Sequence, residues 1–443
     1  MERTALDTGL RVLSHPMQGV RSVSVGVLVD VGPKDERPTE TGYSHLVEHM
    51  LFQGTPTRSA KEIAELMEVG GGAIGAFTAR DYTVYHATVL DDYLPFALDV
   101  LGDMLTSSTI PQEALQTQLN VVLNEISGRE SPVQRVNDLV KQALWPDSPM
   151  SKPIAGLPET LSTTTRSDLL RFMQKHYVAE NMVVVAAGSV AHASLRAQVN
   201  DAFHNLRTAA QTAEQAPNGA NLCDSRSAVV IADPRDLQQV YFALAWPAPP
   251  YQSEERYTWH VLTTLLGGGP TSQLYRTLRE EKGLVYQIGA SYHAYRSGGT
   301  LIVEGATRPA TLVPTLAGVL LELFGMTQGS ADLDRHFRAV QSLVSQHLIS
   351  GDSAYVRMSR LALQELYFGR TLPSAEISKG LEAQTPDKVQ QAAQQCLQAG
   401  LPCIALVGPV NDPMLTEVGG MLTDFGGTPE LINKLESTVS YSP

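Results

Sequence analysis

The strand-like segment VVVAAGSV, ending at Val190, returns as IALVGPV ending at Val410. The interval between them is about half the chain, so one folding unit occurs twice, which limits the chain to architectures built from two similar halves. Other elements keep nearly the same offset. Val23, Val25, Val27 and Val29 alternate along one run, and Val240, Phe242, Leu244 and Trp246 along another. Each run is followed by a proline-bearing turn (Pro33; Pro247, Pro249 and Pro250) and then by a helical segment. Apolar residues at every second position mark a strand with one face toward a core. The chain is therefore expected to be α+β: two tandem homologous units, each a mixed or antiparallel sheet with helices packed on it, at residues 1–215 and 216–443. The join falls in residues 208–227, an Ala-, Gln-, Asn- and Gly-rich stretch without an apolar period, suited to an exposed linker.

The first copy carries chemistry that the second lacks. In His45-Leu46-Val47-Glu48-His49 the two histidines are four apart, so on a helix they lie one above the other and can chelate one metal ion. Glu48 falls on the same side. The order H-x-x-E-H reverses the H-E-x-x-H zinc-protease signature but presents the same groups: two imidazole ligands and a carboxylate base. The intervening and flanking residues, Leu46, Val47, Met50, Leu51 and Phe52, are apolar, so the helix is half-buried and its polar residues share one face. A carboxylate held between imidazoles on such a helix needs a reason. In the second copy His260 stands in the register of His45, but Thr263 and Thr264 replace Glu48 and His49. That copy is expected to bind no metal, with His260 a structural remnant.

A zinc site needs a third protein ligand, and a catalytic one keeps a fourth position open for water. Residues 116–126 read as a helix, with Leu119, Val122, Leu123 and Ile126 in its apolar stripe and Glu125 beside it. At this point the chain resembles the pitrilysin/insulinase-type zinc metallopeptidases (inverzincins), and among them the half-length members similar to the mitochondrial processing peptidase. In that family a ligand Glu follows the pentad at a characteristic spacing, which counted from His49 lands on Glu125 within VVLNEI. The resemblance implies His45, His49 and Glu125 as ligands of one Zn²⁺ per chain and Glu48 as the general base. Residues 70–89, GGGAIGAFTARDYTVYHATV, resemble the segment whose edge strand pairs with substrate, so Ala76, Phe77 and Thr78 are the implied substrate-binding residues. LREEKGLVY resembles the family's Arg-x6-Tyr element, which implies Arg279 and Tyr286 as donors to the substrate carbonyl and the transition state. The implied function is a zinc endopeptidase of unstructured peptides such as presequences or leader peptides. It would form one half of a clamshell completed by a second copy in a homodimer or by a related subunit in a heterodimer. Non-catalytic core or scaffold subunits of larger complexes are the alternative, and such chains usually lose the pentad that this one keeps.

Two positions depart from the family pattern. Gln118 stands where a second Glu is usual, two helical turns before the ligand Glu, and Gly75 where Asn usually precedes Ala-Phe-Thr. Neither removes a metal ligand. Gln118 changes charge and orientation behind the site, and changes of that kind alter metal affinity or activity by about 10–100-fold.

The remaining features narrow the class. With 443 residues, 43% of them hydrophobic, the chain has ample material for sizeable cores. No run of eighteen apolar residues occurs, so a transmembrane helix and a membrane partner are not expected, and a net charge of −13 argues against nucleic acid. The segment from Met1 to Asp7 has neither a signal-peptide nor a transit-peptide pattern, which makes the cytoplasm the expected compartment. Cys223, Cys396 and Cys403 form no C-x-x-C pair and are expected to be reduced thiols. Gly70–Gly72 and Gly267–Gly269 lack the Lys-Ser/Thr of a phosphate loop, and no G-x-S-x-G elbow is present, so a nucleotide site and a serine hydrolase are both disfavoured.

Overall fold

The computed structural model describes residues 1–69, 73–128, 131–146, 148–209, 229–329 and 332–425. Gly70–Gly72, Cys223 and nearly all of the expected linker lie outside them. The described chain is α+β and divides into two compact units.

The first unit is built on a six-stranded sheet. Its strands are β1 (Glu2–Ala5), β2 (Arg11–Pro16), β3 (Ser22–Val29), β4 (Ala73–Thr78), β5 (Thr83–Leu90) and β6 (Met182–Gly188), in the spatial order β1-β2-β6-β3-β5-β4. Only the β2/β6 pair is parallel; the other pairs are antiparallel. The second unit has five strands, β7 (Val230–Pro234), β8 (Val240–Ala248), β9 (Val285–Ala294), β10 (Gly299–Thr307) and β11 (Cys403–Gly408), in the order β7-β11-β8-β10-β9. Again one pair, β7/β11, is parallel and the others are antiparallel. The sheets thus share order and strand direction, the repeat expected from the spacing of β6 and β11. Strand β1 is an addition to the first.

Each sheet is covered on both faces. In the first, Val23, Val25, Val27 and Val29 point into a core shared with Leu46, Val47, Met50 and Leu51 of the helix Tyr43–Leu51. Alternation on β3 suggested one buried face, but Leu28 is buried too, in a second cluster with Met358, Leu361 and Ala362. These three lie on the helix Ala354–Phe368, and Gly26 leaves room for Met358, whose Sδ would stand 2.5 Å from a Cβ placed there. The same helix is pinned by Glu365, whose buried carboxylate accepts two hydrogen bonds from Arg3, at 2.9 and 3.0 Å, and one from Arg11 at 3.3 Å.

The unit boundaries therefore differ from a simple cut near residue 215. The first unit comprises Met1–Arg129, Lys152–Asn218 and Leu348–Leu372; the second comprises Glu130–Ser151, Gly219–His347 and Pro373–Pro443. The helix Pro132–Leu144, encoded in the first half, places Val136, Leu139, Val140 and Ala143 against Ala243, Ala245, Ile302 and Ala405 of the second sheet. Each half of the chain thus lends one helix to the unit built mainly from the other.

Pro309–Gln328 is long and apolar enough by composition to cross a membrane. Leu312, Leu316, Val319, Leu320 and Leu323 within it are buried in the second core, so it serves as a core helix. Cys396 and Cys403 are free and buried, and burial pushes the Cys403 thiol up to about 11.

Candidate metal centre

The helix Tyr43–Leu51 begins at Gly42, whose φ of 98° lies in the left-handed region. A Cβ there would stand 2.6 Å from the Cα of Gly156, so both conformation and space require glycine. The amides of Gly42 and Ser44 donate to the two oxygens of Glu36, each at 2.8 Å. Those amides belong to the first turn, where a helix leaves its N–H groups without internal partners. Burial pushes the Glu36 carboxyl up to about 7 against the opposing pull of the two N–H bonds. The helix is thus fixed at its head and along its apolar face, and the opposite face carries His45, Glu48 and His49, each half-buried.

Glu125 comes from the helix Gln112–Gly128, held by buried Leu115, Leu119 and Val122. One potential ligand atom from each of His45, His49 and Glu125 lies within 4.8 Å of the others, the one such group among the described residues. The imidazole centroids are 4.6 Å apart. His49 Nδ1 stands 3.1 Å from Gln118 Oε1. With a carbonyl oxygen as its partner, Nδ1 is the protonated nitrogen and donates, which leaves the lone pair of Nε2 for a metal. Burial lowers the pKa of His45 to about 4, so its ring is neutral at pH 7, the form that ligates. His45 Nδ1 is buried without a hydrogen-bond partner among the described residues. Two imidazoles and one carboxylate make the donor set of a catalytic zinc site with an open position, and these residues fit the ion.

Glu48 lies beside the three candidate ligands without joining them. Thr78 Oγ1 donates to its Oε2 at 2.5 Å, and the Thr78 amide also bonds to the carboxylate. Burial raises the Glu48 carboxyl above its ordinary range; the Thr78 bonds and nearby His49 pull it down, and Glu125 pushes it up. Within reach of its charge, the hydroxyls of Tyr85 and Tyr177, both buried, are 2.9 Å apart. The family resemblance placed Thr78 in a substrate-binding strand; its hydroxyl is taken up by Glu48. Glu36 and the tyrosine pair were not foreseen. An acid shortly ahead of the metal helix is a signal that could have found Glu36; nothing local marked the tyrosines.

Thr78 ends β4, which pairs with β5 on one side and forms the edge of its sheet on the other. Ala76 faces the core shared with the metal helix. Phe77 faces the opposite way and is exposed. Arg279 and Tyr286 lie in the second unit and meet each other there. Arg279 sits in a π-helical turn, Tyr275–Glu281, with its guanidinium carbon 4.6 Å from the Tyr275 ring centroid and 5.0 Å from that of Tyr286. Tyr286, on edge strand β9, is 75% exposed and so free to meet a ligand.

The sequence profile described as insulinase (peptidase family M16) matches residues 11–157, and that described as the peptidase M16 inactive domain matches residues 163–340. An uncharacterized zinc protease of Streptomyces coelicolor is 32% identical over 93% of this chain and 90% of its own length. The chain belongs to peptidase family M16. An uncharacterized zinc protease of Bacillus subtilis is 30% identical over 92% of this M16 chain and 98% of its own. Matches of that extent make the chain a half-length member of the family. A solved protease from Helicobacter pylori has the same fold, with a TM-score of 0.86 at 18% identity over 92% of this chain and 99% of that one. So does a solved peptidase M16 inactive domain from Pseudomonas fluorescens, with a TM-score of 0.83 at 18% identity over 93% and 98%.

In the second unit of this M16 chain the counterpart of the metal helix is Arg256–Gly267. There the His260 ring lies 5.1 Å from that of Tyr292, and the Thr263 and Thr264 hydroxyls bond back to carbonyls of their own helix. No second cluster of metal-binding groups occurs among the described residues.

The bond from His49 to Gln118 gives a direct prediction. Gln118→Ala removes the acceptor that orients the ring, and zinc affinity is expected to fall by about 10–100-fold. Gln118→Glu supplies a charged acceptor to the same Nδ1–H and should tighten binding. Competition against a chromophoric chelator measures both; equal affinity in all three proteins would show that the bond does not tune the site.

Proposed function

We propose that this M16 chain is a zinc-dependent endopeptidase acting on unstructured peptides of the processing, presequence or leader type. The observation that carries this reading is the convergence of His45, His49 and Glu125, with Glu48 held by Thr78 at the end of an edge strand. Strand β4 offers its outer backbone edge to an extended peptide, and main-chain hydrogen bonds of that kind bind many sequences while excluding folded ones. A peptide laid there runs toward Thr78 and therefore toward Glu48. When bound, Zn²⁺ supplies Lewis acidity toward a scissile carbonyl and lowers the pKa of a water to about 7. Glu48 accepts a proton from the attacking water and returns it to the nitrogen of the departing amine. Thr78 keeps the carboxylate pointed at the reacting atoms in both transfers.

The exposed Tyr286 and the half-buried Arg279 stacked on it are proposed to donate to the substrate carbonyl in a site completed by a second copy of the chain. A non-catalytic subunit is the second reading, favoured by the match of residues 163–340 to a profile described as an inactive domain. The two part on one experiment. The peptidase reading expects about one zinc per chain and turnover of a quenched peptide library, lost on chelation and regained with zinc. A zinc-loaded chain that turns over no member of the library would favour the scaffold.

A further inference from the structure

The face of the first sheet turned away from the metal helix lacks a side chain at one position of its edge strand. Gly75 of β4 is paired in register with His86 of β5, and directly opposed residues on neighbouring strands place their side chains on the same face. Gly75 has none. A Cβ at that position would stand 3.1 Å from both Cε1 and Nε2 of His86, so the imidazole leans over the glycine toward the open edge. Aromatic rings flank the imidazole: Tyr355 is 4.8 Å from the His86 ring, and Phe77, the next residue of β4 on this face, is 6.4 Å from it. His86 Nδ1 is buried without a hydrogen-bond partner among the described residues. A buried N–H left unpaired costs more than a bare lone pair, which favours the tautomer that carries its proton on Nε2, the nitrogen beside Gly75.

We propose that Gly75 and His86 form a specificity subsite that takes an aromatic side chain, tyrosine above phenylalanine, from the peptide residue paired with Gly75. The inference rests on the reading of β4 as the peptide-binding edge. A residue paired with Gly75 from outside would lie one strand spacing away, about 4.8 Å, with its side chain on the same face. With no side chain at position 75 to block it, a flat ring reaches across the strand to stack against His86 and Tyr355. The tyrosine hydroxyl can then accept from Nε2–H. Small or branched side chains bind the edge equally well through their backbone but make no such stack. The imidazole is held neutral by burial, so the slot gives little advantage to an acidic side chain.

The test varies one peptide position at a time in a quenched library and reads kcat/KM ratios for the zinc-loaded enzyme. Peptide binding to the zinc-loaded Glu48→Gln protein, followed by anisotropy, reads the same ratios without turnover. One position should favour Tyr over Ala by about tenfold, the worth of a ring contact together with the apolar area it buries. Gly75→Asn adds the missing side chain and His86→Ala removes the imidazole beside it, and in either background the ratio at that position should fall to about one while ratios elsewhere hold. An unchanged aromatic ratio in both variants, or no aromatic preference in the parent, would overturn the subsite and leave the peptidase reading intact. Failure of every peptide to bind or to be cleaved would overturn both.

Discussion

Glu48→Gln is expected to keep its zinc and lose peptide turnover by about 10²–10⁴-fold, the usual contribution of a positioned general base. The substitution preserves shape, and its carbonyl oxygen can still accept the Thr78 hydroxyl that bonds Glu48 at 2.5 Å. His45, His49 and Glu125, which converge within 4.8 Å, are untouched, so metal content should stay at the parent level. An amide lacks the basicity to take a proton from water, and this is the one property removed. Metal analysis beside kcat on a single good peptide separates the two effects. Parent-level turnover in a zinc-loaded Glu48→Gln protein would remove Glu48 from the mechanism, and loss of zinc would recast it as a ligand.

The second large effect is a recovery. Glu48→Gln is expected to be inactive, and so is Arg279→Ala/Tyr286→Phe, which loses both stacked donors. If the Arg/Tyr pair acts on the zinc site of a second copy, exchange between the two inactive proteins yields mixed dimers. One of the two sites in each mixed dimer then combines an intact Glu48 with an intact pair. Random exchange in a two-fold symmetric dimer brings back about a quarter of the parent sites, far above either inactive protein alone. The recovery should fade on dilution below the dimer's dissociation constant. No recovery despite measured exchange, or full activity in a monomer, would rule out the shared site.

Local periodicity makes the metal helix legible in the sequence alone. A spacing of four sets two histidines on one helical face whatever surrounds them, and the apolar residues between them decide which face is buried. The repeat is legible for the same reason, since strand alternation and turn residues are written within a few positions. Glu125 is another matter, because it lies on a separate helix far along the chain from His49 and only the family resemblance joins them. The tertiary structure alone decided which helix covers which sheet. Pro132–Leu144 and Ala354–Phe368 have ordinary apolar faces that would suit either sheet, and each packs on the unit built mainly from the other half of the chain. It also decided that Thr78 holds Glu48, Gln118 holds His49, Glu36 caps the metal helix and His86 leans toward Gly75. Such polar pairings depend on short distances between segments far apart in sequence, and a sequence pattern records the faces of its elements but not which faces meet.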